Sequence, residues 1–447
     1  MDRVIVFVKW PEPGRAKTRL IPALGPQGAA ELHDKMARRT LSSVRRGAKR
    51  AGCSVEVRST GAVTERFRGW LGDDLSVVDQ GDGDLGDRMA LSVSDSLDGG
   101  IKKVLLLGTD CPDLDPSFIH HAMGLLEGHP VVMGPASDGG YYCLGIDLSK
   151  VGERALGLFR GVPWSSSATG EATLDRARSL GLKVARLPVL SDVDRPEDLP
   201  VWDRACQKIS VIIPTLNERD GISMCIRSAL GAQDVEVIVS DGGSTDGTIE
   251  VAESYGAKVV RSPKGRAAQM NAGAKVASGD ILLFLHGDSI LPWGYGRLVR
   301  EALSDKKLSL GAFSLKIGLA GELNDPEFRS SMDMISFWAN VRSRWLSLPY
   351  GDQGFFMGKS LFHRLGGFPE MPLLEDVSLV RSASKVGRIG TISATIRTSS
   401  RRWRKLGAAR TSIRNSMIML AWAIGVSPTT LAGWYRADKP RKGGVSS

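Results

Sequence analysis

Short apolar runs recur along the chain, separated by longer stretches whose apolar positions fall at helical spacing. In residues 1–205 the runs are VIVFV, CSVEVRST, KKVLLLGTD, VVMGPA, YYCLGI and KVARLPVL. Helical patterns lie between them at about 28–52 and 87–97. After residue 208 the alternation restarts, with strands predicted at 209–213, 235–240, 257–260 and 281–285. Helices are predicted at about 219–231, 246–255 and 266–277. Strands alternating with helices predict α/β units built on parallel sheets, the second a doubly wound βαβαβαβ half. The stretch LPVWDRACQKISVIIPTLNE holds the joint between them. The expected domains are 1–205, 206–405 and a basic helical tail, 406–447.

At 447 residues the chain is too long for one typical domain, which agrees with this division. Five scattered cysteines contain no CxxC pair, so neither a zinc ribbon nor a disulfide framework is expected, and a reducing cytosol is. The opening MDRVIVFVKWPEPG reads as a first strand rather than a leader, because its apolar run is short and meets Lys9 and prolines. No stretch reaches the ~18 apolar residues of a spanning helix. The formal charge of +10 is uneven. Residues 1–205 carry 27 basic against 28 acidic residues, whereas 388–447 carry 12 basic residues and one acid, Asp438. Such a tail suits a diphosphate, an anionic lipid or nucleic acid. Its aromatics, Trp403, Trp422, Trp434 and Tyr435, are not interleaved as a stacking platform, so no nucleic acid is expected. Residues 408–426 begin with Arg410 and Arg414 and end apolar, as a helix packed on its domain or lying at a membrane surface would. The expected location is cytoplasmic, with peripheral contact at the inner face of the membrane left open.

Three places in the first half carry candidate chemistry. Gly14, Arg15, Lys17 and Arg19 lie on the loop leaving the first strand, where freed amides and cations suit a triphosphate. Asp110 ends the buried run of LLLGTDCPDLDP, where a carboxylate can hold Mg²⁺ against phosphates. Asp192 and Asp194 follow the last strand, and Asp194 is read either as a second metal carboxylate or as a helix cap. With AKTRL, TDCP and DVDRPEDL in this order, the half resembles the nucleotidyltransferase-like fold of molybdenum-cofactor and 2-phospholactate guanylyltransferases. It resembles more closely the transferase-1 family that accompanies radical-SAM enzymes and is labelled in arsenosugar pathways. The resemblance implies a nucleoside triphosphate at this half. The loop has one glycine, Gly14, where sugar nucleotidyltransferases carry GxGxRxGxxK.

In the second half, strand ends deliver Thr215, Asn217, Glu218, Asp241 and Asp288 to the usual ligand crevice of an open α/β sheet. The motifs IIPTLNE, DGGSTDGT, GRAAQMNAGA, LHGDS, GDQGFF and LLEDVSL resemble family 2 glycosyltransferases of the GT-A fold over about 208–405. They are most similar to the transferase-2 family found beside the same radical-SAM proteins. The two resemblances together imply tandem nucleotide-binding Rossmann-like domains, nucleotidyltransferase-like and then GT-A, ending in a short helical tail.

The second resemblance also implies roles. Thr215, Asn217, Glu218 and Asp241 bind the donor nucleotide. Arg266 and Arg402 meet its diphosphate, with Arg401 as the alternative to Arg402 and Trp403 packing beneath in the donor site. The family's DxD appears as His286-Gly287-Asp288, so Asp288 binds Mg²⁺ or Mn²⁺, with His286 a ligand or a neighbour of one. Asp376 maps to the general base, with Glu375 beside it, and one in-line displacement predicts inversion. Asp352 and Gln353 face the acceptor, with Phe355 and Phe356 as apolar faces or core. Ser399 stands at the glutamine of the processive QxxRW motif, so processivity is not expected.

The expected protein is an inverting, metal-dependent glycosyltransferase moving a sugar from a nucleotide-sugar donor to a hydroxyl acceptor. Its first half either makes that donor or binds nucleotide without catalysis. The family association implies a small organoarsenic or similar acceptor, and the tail keeps a lipid or carotenoid acceptor open.

Overall fold

The computed structural model describes residues 1–437; the basic end of the tail, 438–447, lies outside the described residues. Two compact units emerge. One is Met1–Cys206 with Gly231–Gln233; the other is Gln207–Leu230 with the residues from Asp234 on.

The first unit has strands β1 (Arg3–Lys9), β2 (Ser54–Thr60), β3 (Ser76–Asp79), β4 (Lys103–Leu107), β5 (Val131–Pro135), β6 (Tyr141–Asp147) and β7 (Val184–Arg186). They form one sheet in the order β3-β2-β1-β4-β6-β5-β7. Side chains of β1 alternate between faces, as a strand requires. Val4, Val6 and Val8 join one buried cluster and Ile5 joins another, so both faces of the sheet are covered. The parallel sheet expected from the sequence is corrected to a mixed one, because β6 runs antiparallel to β4 and β5. The connection 136–140 between β5 and β6 is too short for a crossover helix and turns through Gly139 at φ 91°. The helix expected at about 28–52 is longer, Ile21–Ala51, and is kinked where Gly25 leaves helical geometry just before Pro26.

The second unit has β8 (Ile209–Thr215), β9 (Val235–Asp241), β10 (Lys258–Arg261), β11 (Ile281–Phe284), β12 (Ser289–Ile290), β13 (Leu308–Ile317), β14 (Phe355–Gly358) and β15 (Arg388–Thr398). Their order is β10-β9-β8-β11-β14-β13-β15-β12. The first four alternating strands match the sequence pattern, but β13, β14 and β15 were not foreseen. LSLGAFSLKI is buried at nearly every position, so it shows no period of two. GDQGFFMG, read as an acceptor wall, contains β14, and Phe355 and Phe356 are buried core residues.

Helix Arg266–Val276 lies directly on β8 and β9. A Cβ at Gly273 would come within 2.5 Å of Ile212 and 2.7 Å of the Ser240 hydroxyl, so only glycine permits this approach. The approach lets Gln269 Nε2 donate to the carbonyls of Thr215 (2.6 Å) and Ser240 (3.0 Å), tying together the ends of two strands. The tail forms helices Ala408–Ala423 and Pro428–Ala437. Ile418 and Leu431 pack with Leu374 and Val377 in one buried cluster. Among the described residues no helix is long and apolar enough to cross a membrane.

Candidate active site

Backbone strain marks three of the loops that carry the candidate residues. Lys17, Asn217 and Leu374 are non-glycine residues at φ 47°, 57° and 68°. Left-handed backbone at such residues costs free energy, and surrounding bonds must hold it.

In the second unit, β8 and β9 end side by side, pairing Thr215 with Asp241. Asp241 is buried. Its Oδ2 accepts from the backbone N–H of Gly243 (2.8 Å) and Ser244 (2.9 Å). Its Oδ1 and the Thr215 hydroxyl are buried without a hydrogen-bond partner among the described residues. Unpaired buried polar atoms cost stability, so a ligand that pairs them binds with that advantage. Asn217 is engaged otherwise: its N–H donates to the Ser244 hydroxyl (2.9 Å), and its Oδ1 accepts from Thr245 N–H (2.9 Å). It thereby pins the two loops together. Asp246 accepts from the amide (3.0 Å) and hydroxyl (2.5 Å) of Thr248, at the start of helix Thr248–Ser254. The DGGSTDGT stretch is therefore a capping loop apart from Asp241.

A cavity of about 210 Å³ gathers Arg266, His286, Asp288, Asp352, Glu375, Asp376, Arg402 and Trp403. Neither Asp241 nor Thr215 lines it. Burial pushes the Asp288 carboxyl above its ordinary range, and nearby Arg401, Thr398 and Arg266 do not outweigh it. Burial, with Arg266 and Arg402 nearby, pushes His286 down to about 3, so this imidazole is neutral at physiological pH. A desolvated carboxylate beside a neutral imidazole is a donor set that fits a divalent cation whose remaining ligands come from a diphosphate and water. No cluster of three or more such ligands occurs among the described residues.

Asp376 sits at the first turn of helix Glu375–Ser384, behind the strained Leu374. Its Oδ2 accepts from Gly351 N–H (2.8 Å) and its Oδ1 from its neighbour Val377 N–H (2.8 Å). A Cβ on Gly351 would sit 3.3 Å from Asp376 Oδ2 and 3.4 Å from His286 Nε2, so this glycine separates the two groups closely. Burial first, and then the Asp376 charge, raise the Glu375 carboxyl. Asp352 is raised by burial, and its Oδ1 has no hydrogen-bond partner among the described residues.

Gln353 corrects the reading of an acceptor-facing pair. It is fully buried, and its amide donates to the Phe313 carbonyl (3.0 Å) and the Ser343 hydroxyl (3.1 Å). Glu218 and Arg401 form an ion pair (2.8 Å), and neither lines the cavity. Ser399, at the position of the processive glutamine, donates to Glu322 (2.6 Å).

Sequence reasoning missed two contributors. Thr398, at the end of β15, donates to Asp288 Oδ1 (3.3 Å). Asn415, Ile418 and Met419 of the tail helix line the cavity wall. The amphipathic pattern of 408–426 was the available signal for the latter; Thr398 had none.

In the first unit, a cavity of about 1060 Å³ is lined by Arg15, Lys17, Arg19, Asp110, Asp192 and Asp194, together with Lys9, His33 and Arg88. Lys17 is buried, and its Nζ donates to Asp110 Oδ1 (2.5 Å), Asp194 Oδ1 (2.7 Å) and the Val193 carbonyl (2.7 Å). This corrects the expected metal pair, because an ammonium already bridges the two carboxylates. Burial disfavours the charge on Asp110, which opens onto the cavity deep within the fold; Lys17 prevails and holds its carboxyl below the usual range. Burial likewise opposes the charge on Lys17, and the two aspartates raise its pKa above the ordinary value. Asp194 does not cap the turn that follows; Asp198 Oδ2 accepts from the N–H of Asp194 (3.1 Å) and Arg195 (2.8 Å). Gly14 turns at φ 80°, while Arg15 and Arg19 are largely exposed.

Residues 210–359 match the family model described as glycosyl transferase family 2. The second unit contains a family 2 glycosyltransferase domain. Residues 40–166 match a model described as an uncharacterized protein conserved in bacteria (DUF2064), which names no activity for the first unit. A dolichol-phosphate mannosyltransferase of Pyrococcus furiosus is 38% identical over 125 residues, 25% of this chain and 34% of that protein. Glycosyltransferase AglE of Haloferax volcanii is 35% identical over 91 residues, 18% of this chain and 30% of its own length. The chain thus spans about a third of the length of these curated relatives. Glucosyl-3-phosphoglycerate synthase from Mycobacterium tuberculosis, solved with Mn²⁺, UDP and glucosyl-3-phosphoglycerate, is 24% identical. That likeness covers 50% of this chain and 82% of the other, with a TM-score of 0.36.

Proposed function

We propose that the second unit moves a sugar from a nucleotide-sugar donor to a hydroxyl acceptor, with inversion at the anomeric carbon. The observation that carries this reading is the convergence of Asp376, Asp288 and His286 on one cavity. Asp241 Oδ1 and the Thr215 hydroxyl, both without a partner, suit the polar edge of the donor's base or ribose. Arg266 and Arg402 supply positive charge where a diphosphate would lie. Asp288, with His286, would hold Mg²⁺ or Mn²⁺, which supplies charge neutralisation of the nucleoside-diphosphate leaving group. Asp376 is fixed by two backbone N–H groups with its carboxylate on the cavity, so it takes the proton from the acceptor hydroxyl as that oxygen attacks. Asp352 orients the acceptor through its unpaired oxygen.

For the first unit, the cation-rich loop supports binding of a nucleoside triphosphate, and synthesis of the donor consumed by the second unit is the fuller reading. The Lys17 bridge favours the other reading, a module that binds nucleotide without transferring it, because the ammonium already satisfies both candidate metal carboxylates.

A screen of nucleotide sugars for nucleoside-diphosphate release, with and without added Mg²⁺ or Mn²⁺, tests the central reading. At least one donor is turned over, and only with the metal. Release from no donor, or full release in chelator, overturns it.

A further inference from the structure

Two helices of the second unit expose apolar stripes of one spacing. On Pro326–Trp345 the stripe is Met334, Trp338 and Trp345, with Phe337 beside it. On Ala408–Ala423, continued by one residue, it is Ile413, Met417, Leu420 and Ile424. The steps of four, three and four residues in the second stripe put all four side chains on one helix face. Exposure is high for side chains of this size: 82% for Trp345, 77% for Ile424 and 68% for Leu420. The two helices pack on one another. Rows of large apolar side chains left this exposed mark an interaction surface.

We infer that this face docks on an anionic lipid bilayer. Two observations select that occupant. Residues 401–414, which lead into the second stripe, contain six Lys or Arg and no acid, and Arg404, Lys405 and Arg410 among them are exposed, so the start of that stripe is basic. A second copy placed symmetrically on the same patch would bring two basic flanks together, whereas anionic headgroups complement them. The stripe also carries tryptophans, whose amphipathic rings favour the headgroup level. The helix that exposes Leu420 contributes Asn415, Ile418 and Met419 to the cavity of Asp376 and Asp288. Docking would therefore bring the cavity wall to the bilayer surface, where an amphiphilic acceptor presents its hydroxyl. Only that last consequence rests on the transferase reading.

The test is co-sedimentation of the full chain with phosphatidylcholine vesicles, with and without phosphatidylglycerol. The chain pellets with the anionic vesicles. The combined substitution Met417→Ser, Leu420→Ser and Ile424→Ser lowers the partition coefficient by roughly tenfold or more. Trp345→Ser, on the other helix, lowers it severalfold and guards against a folding defect in the first variant. No binding to anionic vesicles, or undiminished binding by both variants, overturns the inference. A dimer in sedimentation equilibrium that the triple substitution dissociates also overturns it, and assigns the face to a second copy. Vesicle binding needs neither donor nor acceptor, so its failure is distinguishable from failure of the donor screen.

Discussion

Counted within each unit, and leaving out the short edge strand β12, the two sheets have one order, 3-2-1-4-6-5-7, with the sixth strand antiparallel to both neighbours. The loop after the fourth strand carries an acid in both, Asp110 in one and Asp288 in the other. The difference lies in the loop after the first strand. In the first unit it delivers Lys17, which lies between Asp110 and Asp194. In the second it delivers Glu218, a further acid, which is paired with Arg401. Asp110 is consequently held ionised by an internal cation, whereas the half-buried Asp288 has none that outweighs its desolvation. One architecture thus offers a crevice whose carboxylates are already neutralised and another in which desolvation leaves the carboxyl pKa raised. The same chain order is compatible with both because loops, not strands, carry the deciding charges.

The comparison breaks most visibly at Asp288. Asp288→Asn should lower transfer by roughly 100-fold or more, because it removes the carboxylate proposed to hold the metal against the diphosphate. Steady-state nucleoside-diphosphate release at saturating metal measures it. Asp110→Asn, its counterpart by position, should leave that rate unchanged; equal loss from both would erase the contrast.

A smaller effect is expected on stability. Lys17→Met leaves Asp110 and Asp194 adjacent and unneutralised, and should destabilise the first unit by about 2–3 kcal/mol. That is below the cost of breaking a fully buried pair, because both aspartates are partly open to solvent. Urea unfolding followed by tryptophan fluorescence measures it. The double variant Lys17→Met with Asp110→Asn should recover part of the loss.

The smallest effect is one of pH, and its sign differs between the units. The depressed Asp110 carboxyl contributes stability that is present above the ordinary carboxylate pKa and is lost as pH falls through the folded value. The raised Lys17 contributes stability that is present below its ordinary pKa of 10.5 and is lost as pH rises through the folded value. Asp288, Asp352 and Glu375 are raised, so in the folded state they hold protons more tightly than in the unfolded chain. Their contribution falls as pH rises from the ordinary carboxylate pKa through their folded values. The urea midpoint of the first unit should therefore drop on acidification where Lys17 is intact, and drop less steeply in Lys17→Met.

What the sequence disclosed follows the same division between strands and loops. Strands β8 to β11 and the helices between them were legible because half-covered or fully buried runs alternate with helical spacing. The antiparallel β6 and β14 were not, because strand direction is set by the length of connections and by partners distant in sequence. Strand β13 was hidden by burial on both faces. Asp241, Asp288 and Asp376 were singled out by motif; Asp288 and Asp376 line one cavity, and Asp241 lies outside it. Gln353 was misread because an amide in a polar motif gives no sign of whether it faces a ligand or, as here, bonds Phe313 and Ser343 in the core. The metal pair of Asp110 and Asp194 was misread because no spacing shows that Lys17, far from both in sequence, reaches them. The tail's part in the cavity wall needed the third dimension for the same reason.

As the proposed base, Asp376 acts within an otherwise intact donor site. The direct test is single-turnover transfer from the best donor by Asp376→Asn, with donor affinity measured in parallel. A fall in the transfer rate of roughly 10²–10⁴-fold with donor affinity unchanged is the predicted result. Transfer at the native rate by Asp376→Asn would contradict it.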